Sequence, residues 1–307
     1  MSMVLHACAR VSPGFVGICP AFSLRTGSAA AWHSLQSTIR SASPDEGQMR
    51  KTSLKHLITT DELIPLFTIA RVPFPIMVEM FGLAGGFRGF WIDIEHVDMT
   101  GQQVQALALA ARANEMDCFV RMAPAGYWEV TRVLEAGAGG VMAAQIHSAE
   151  HAKEFVSWTK FAPEGVRGLN MGGRDCAYTH KPAAQFVEDA NREHFVAIQI
   201  ETLGALDEAD GIAALEGVDI LFVGPADLSL ALGVVGQFHH EKLWSAIDRV
   251  ADACRRHGKT WGCVAPDADF ADKVIERGCR LPTFSTDITV LRRGLESIRS
   301  TFAKQFG

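Results

Sequence analysis

From about residue 60 onward, short continuous apolar runs alternate with stretches in which apolar residues recur every three or four positions. The runs are "IPLFTIA" (64–70), "FRGFWID" (87–93), "DCFVRM" (117–122), "GGVMAA" (139–144), "FVAIQIE" (195–201), "VDILFVG" (218–224), "KTWGCVA" (259–265) and, more weakly, "CRLPTFS" (279–285). Apolarity at consecutive positions suits strands covered on both faces, as in a parallel sheet. The intervening stretches carry helix signals. Thr100 followed by Gln103 is a capping-box pattern ahead of an Ala/Leu-rich segment. Leu243, Ile247, Val250 and Cys254 share one helical face, and Gly258 ends it. Asp267 caps the next helix, which Gly278 ends. The last helix carries a single stripe: Ile288, Leu291, Leu295, Ile298 and Phe302. Eight strands, each followed by helical sequence, predict a (β/α)₈ barrel. A doubly wound open sheet is the alternative, weakened because no G-x-G-x-x-G follows the first strand. The irregular piece 161–180, "FAPEGVRGLNMGGRDCAYTH", falls between strands 4 and 5 and is expected to hang over the catalytic face.

The first 44 residues break the pattern. They hold Arg10, Arg25 and Arg40, many Ser and Ala, and no Asp or Glu. Two readings share this composition: a mitochondrial transit peptide, or an extension ahead of a start at Met49. Residues 1–50 are therefore read as an N-terminal extension and 51–307 as the barrel domain. A chain of 307 residues that is 48% hydrophobic and 21% charged has enough apolar material for a large core. The net charge of −6 and the lack of a basic run argue against nucleic acid and anionic membranes as partners. No apolar run reaches the roughly 18 residues of a spanning helix. The seven cysteines are scattered, without a C-x-x-C pair. This fits a reducing compartment, the cytoplasm or, with a transit peptide, the mitochondrial matrix.

Barrel enzymes build their sites at the C-terminal ends of the strands. Strand 2 ends in Asp93, then Glu95 and His96. Strand 3 ends near Arg121, strand 5 in Gln199 and Glu201, and strand 6 delivers Asp227 just past "GPA". Singly, each acid reads equally well as a solvated strand end or a helix cap. Together, Glu201 and Asp227 come from adjacent strands and can converge. Two carboxylates in one pocket repel each other, and a divalent cation with hard oxygen ligands removes that repulsion: Mg²⁺ or Mn²⁺, with Co²⁺ as a further candidate. His96 is a candidate acid–base group that Asp93 or Glu95 can orient. Arg121 ends an apolar strand and needs an anionic partner, from the protein or from a substrate. No lysine lies at these strand ends, which argues against Schiff-base chemistry.

At these residues the sequence resembles the metal-dependent pyruvate aldolases of the HpcH/HpaI family, of the hydroxy-oxo-heptanedioate aldolase type. The matching pieces are "WIDIEH" (91–96), "VRMAP" (120–124), "VLEAGAGGVM" (133–142), "APEGVRG" (162–168), "VAIQIET" (196–202), "VDILFVGPADLS" (218–229) and "TDITVLRRG" (286–294). The resemblance implies a phosphoenolpyruvate/pyruvate-type (β/α)₈ barrel assembled as a homo-oligomer, a hexamer or trimer. It implies Glu201 and Asp227 as metal ligands, and Gln199 with the backbone N–H groups of Ala226 and Asp227 as substrate contacts. His96 falls on the general base with Asp93 as its partner, Arg121 on the group that stabilises an enolate, and Glu135 on an acid that supports the histidine. The implied reaction is reversible aldol cleavage of a 4-hydroxy-2-oxo acid to pyruvate, or a close 2-oxo acid, and an aldehyde through a metal-stabilised enolate. Alternatives are a citryl- or malyl-CoA type lyase and a phosphoenolpyruvate-using enzyme, for which "MGGRD" is a weak phosphate-site candidate. The strand-4 turn lacks the proline usual in the family, and Ser285 stands where glycine is usual.

Overall fold

The computed structural model describes residues 50–307. The extension assigned to residues 1–50 lies, but for its last residue, outside the described residues. Eight parallel strands close into a barrel in sequence order. They are β1 Leu66–Ile69, β2 Gly89–Asp93, β3 Asp117–Met122, β4 Gly140–Ala143, β5 Phe195–Ile200, β6 Ile220–Val223, β7 Thr260–Val264 and β8 Leu281–Thr286. Each falls within its apolar run or overshoots it by one residue. The expected helix signals are present. Thr100 and Gln103 form a reciprocal capping box at Gly101–Ala113, Gly258 closes Glu241–His257 in the left-handed region, and Asp267 accepts from Phe270 N–H to open Ala268–Glu276. Among the described residues no helix is long and apolar enough to cross a membrane.

Strand alternation divides the side chains into two cores. Phe67, Ile69, Phe90, Ile92, Val120 and Ile198 point outward and pack beneath the helices. Leu66, Trp91, Phe119, Met142, Ala197, Phe222 and Leu281 point inward and fill the barrel. The short helix Leu54–Leu57 plugs the N-terminal end, where Leu54 and Leu57 join the inner core and Leu54 N–H donates to Asp117. The inward parity then decides what stands at the other end. Two residues beyond Trp91 is Asp93, beyond Phe119 is Arg121, beyond Ala197 are Gln199 and Glu201, and beyond Phe222 is Gly224.

One expectation needs correction. Segment 161–180 does not overhang the strand C-termini. The crossover from β4 first runs through helix Ala149–Thr159, capped by Ser148, and so has already returned to the N-terminal end of the barrel when the irregular segment begins. There Phe161 N–H donates to Asn191, and Arg167 bonds Asp175 and His194, which immediately precedes β5. "MGGRD" is thereby removed from the catalytic face. The stripe expected on the final helix is present on Asp287–Thr301 and is exposed: Ile288, Leu291, Leu295 (66% exposed), Ile298 and Phe302 all face outward.

Candidate active site

The strand ends bring most of the expected residues together. Asp93 and Arg121 are register partners on β2 and β3, and the guanidinium donates to both carboxylate oxygens, from Nε at 3.2 Å and from Nη2 at 2.7 Å. The guanidinium also stacks over Trp91, 4.6 Å from the ring centroid, in the layer below. Both side chains are buried. Arg121 is thus a fixed cation, pinned on one edge by a bidentate pair and underneath by an indole.

Asp93 does not partner the His96 imidazole, contrary to expectation. Its Oδ1 accepts from the backbone N–H groups of Glu95 and His96, which shapes the turn after β2, while the rest of its capacity goes to Arg121. Glu95 lies closer to the imidazole: its Oε2 is 3.8 Å from His96 Nε2 and 3.3 Å from Arg121 Nη1, without a hydrogen bond of good geometry to either. Position 95 continues the inward parity of 91 and 93, and Glu95 is the other partner that the sequence offered for His96. His96 itself is exposed at the rim. Glu135 is not brought to this site within the chain. It ends helix Tyr127–Glu135 at the opposite end of the barrel, where it accepts from Asn170.

Glu201 is 2% exposed. One oxygen, Oε1, accepts from Gln145 twice, from the backbone N–H at 2.8 Å and from Nε2 at 3.0 Å. The other, Oε2, is buried without a partner, as are Gln199 Oε1 and Glu95 Oε2. Burial, with repulsion from Glu95 and Asp227, pushes the Glu201 carboxyl up to about 7. The inward residue of β6 is Gly224, and a side chain there would not fit: a Cβ would lie 2.6 Å from both Gln199 Nε2 and Glu201 Oε2. Asp227 follows in the first turn of helix Pro225–Ala231, where the N–H groups of Ala226 and Asp227 have no place in the helical ladder. A cleft of about 380 Å³ opens beside these groups, lined by Gln145, His147, Glu201, Leu203, Asp227 and Leu230.

This arrangement fits a divalent cation. Three acids, Glu95, Glu201 and Asp227, surround one small space, two of them with orphaned buried oxygens, and the Gly224 cradle keeps that space open. Orphaned buried acceptors are costly unless something meets them. A separate set of ligating type, His239, Asp267 and Asp269, is exposed. Its members already bond one another, and Asp267 serves as a helix cap.

Residues 90–293 match the HpcH/HpaI aldolase/citrate lyase family. The chain belongs to this family. Two relatives named 5-keto-4-deoxy-D-glucarate aldolase, from Klebsiella pneumoniae and Shigella boydii, are 31% and 32% identical over 232 residues. Each alignment covers 75% of this chain, and 89% and 88% of the relatives. The solved HpcH/HpaI aldolase from Desulfitobacterium hafniense superposes with a TM-score of 0.73 at 31% identity, over 80% of this chain and 96% of that one. An HpcH/HpaI aldolase/citrate lyase family protein from Burkholderia cenocepacia superposes with a TM-score of 0.73 at 32% identity, over 81% and 99%. Both activities in the family's name are lyase activities, so the expectation of a carbon–carbon lyase on a (β/α)₈ barrel stands.

Proposed function

We propose that this HpcH/HpaI family member is a divalent-metal-dependent aldolase that cleaves a 4-hydroxy-2-oxo acid reversibly to pyruvate, or a close 2-oxo acid, and an aldehyde. The observation that carries the proposal is the set of orphaned inward oxygens on Glu201, Gln199 and Glu95 beside a guanidinium that cannot move away. Glu201 Oε2 and the Asp227 carboxylate would hold Mg²⁺ or Mn²⁺. The bound cation supplies Lewis-acid stabilisation to negative charge developing on the substrate's keto oxygen.

The protein's own groups divide the rest of the work. The N–H groups of Ala226 and Asp227 take the substrate carboxylate, and the Gln199 amide fixes the orientation of the 2-oxo group. Arg121, held by Asp93 and Trp91, offers its remaining edge to the keto oxygen. That charge stabilisation needs no reorganisation during the reaction. His96 takes the proton of the 4-hydroxyl as the C3–C4 bond breaks. The bonding pair moves to C3, the aldehyde leaves, and C3 then takes up a proton to give the 2-oxo acid. Glu95 lies between Arg121 and His96, where it can steady the imidazole. Glu135 has no part in this scheme within one chain.

The substrate class follows the relatives. A sugar-acid aldol of the 5-keto-4-deoxy-D-glucarate kind is the first to test, with other 4-hydroxy-2-oxo acids beside it. Pyruvate release should stop on metal chelation and return with Mg²⁺ or Mn²⁺. Turnover that persists in chelator would overturn the proposal. We also read the exposed stripe of the last helix as a contact between copies of this chain, in keeping with a trimer or hexamer.

A further inference from the structure

We propose that Gln145 is a positioning residue that clamps one oxygen of Glu201 so that the other faces the cation; this rests on the reading of Glu201 as a metal ligand. Gln145 lies two residues past the end of β4, the strand paired with β5. Its backbone N–H and its side-chain Nε2 both donate to the same oxygen, Oε1, at 2.8 and 3.0 Å. Two donors on one atom, with none on Oε2, leave the carboxylate with one engaged oxygen and one free oxygen. A carboxylate held this way offers a cation a single oxygen. A cation held through that one oxygen would have positions left for the two oxygens of a chelating 2-oxo acid.

The backbone at Gln145 supports a purpose beyond packing. Its φ is +52°, in the left-handed region. The other described non-glycine residues with positive φ, Glu115, Ala177, Tyr178 and Thr179, lie in connections at the N-terminal end of the barrel. A glutamine adopts this conformation only where surrounding contacts compensate. Here it brings a main-chain and a side-chain donor to one point. The side chain is only half-buried and lines the cleft beside Glu201 and Asp227, so core filling does not account for it.

Two substitutions separate positioning from structure. Gln145→Met keeps the length and removes the donor. Gln145→Gly removes the donor and suits the left-handed backbone. Calorimetric titration of Mn²⁺ into metal-stripped protein should show affinity weakened by about 10- to 100-fold in both variants. Metal-free Gln145→Gly should melt no lower than the wild type. At saturating Mn²⁺, kcat should recover in both, so that the defect lies in the metal requirement. Mn²⁺ affinity within about twofold of wild type in Gln145→Gly would overturn the inference, as would a lower melting temperature without loss of affinity. If the wild type bound no Mn²⁺, or if Glu201→Gln bound it equally well, the assignment of Glu201 itself would fall.

Discussion

The two ends of the barrel both bury charge, and they treat it in opposite ways. At the N-terminal end, Asp117 accepts from Leu54 N–H, Cys118 N–H and Arg50. Nearby, Arg167 pairs with Asp175 and contacts His194, and Lys160 donates to the carbonyls of Asn191 and His194. Apart from Arg167 Nε, the side-chain atoms of this cluster find partners. At the C-terminal end, Glu95, Gln199 and Glu201 each keep a buried oxygen with no partner. Satisfied buried charge stitches loops to the barrel. Unsatisfied buried charge, gathered at one point and kept clear by Gly224, marks where something else binds.

The contrast is sharpest when one residue is removed from each end. Glu201→Gln or Asp227→Asn should abolish turnover, while the metal-free protein stays folded, because either change relieves repulsion among three acids. Arg167→Ala at the other end should do the reverse. It strands Asp175 in a buried site, which costs about 3–5 kcal/mol of stability, and turnover per folded molecule should persist. Urea unfolding and steady-state kinetics on the same preparations check both. A fold lost in Glu201→Gln, or turnover lost in Arg167→Ala, would break the distinction.

Within the catalytic end, His96 and Arg121 should differ. His96→Ala should slow aldol cleavage by about 10²- to 10⁴-fold. It should spare more of oxaloacetate decarboxylation, which forms the same enolate without removing a hydroxyl proton. Arg121→Ala should lose about 10²- to 10³-fold in both reactions. Equal proportional losses in the two variants would contradict the assigned roles.

The smallest effect is a pH dependence. Glu201, at about 7 when folded against about 4.5 when unfolded, binds an extra proton in the folded state between those values. Stability of the metal-free protein should therefore fall as pH rises through that window. Saturating Mn²⁺, or Glu201→Gln, should remove this component. Melting temperatures across pH 4.5–7.5 with and without Mn²⁺ check it.

The barrel was legible because strands covered on both faces must be apolar at consecutive positions, and all eight runs became strands. The site was legible where polar residues extend an inward parity, as at Asp93, Arg121, Gln199 and Glu201. Partnership was not. Asp93 could serve His96 or Arg121 on spacing alone, and only the β2–β3 register puts it beside the guanidinium. Segment 161–180 was misplaced because the helix Ala149–Thr159 reverses the chain before it begins. Gln145 carried no signal, since its role depends on one left-handed φ. The last stripe was read correctly as a helix face, but periodicity alone does not say whether that face is buried, and here it is exposed.

The most direct test is a Mn²⁺ titration of metal-stripped protein above the Glu201 range, at about pH 8. Wild type, Glu201→Gln, Asp117→Asn and Asp269→Asn should be compared. If the orphaned oxygens at the strand ends are the metal site, wild type, Asp117→Asn and Asp269→Asn bind one Mn²⁺ per chain with similar affinity, and Glu201→Gln does not. Binding that survives in Glu201→Gln but disappears in Asp269→Asn would place the metal in the exposed His239 cluster and contradict the reading of the barrel mouth.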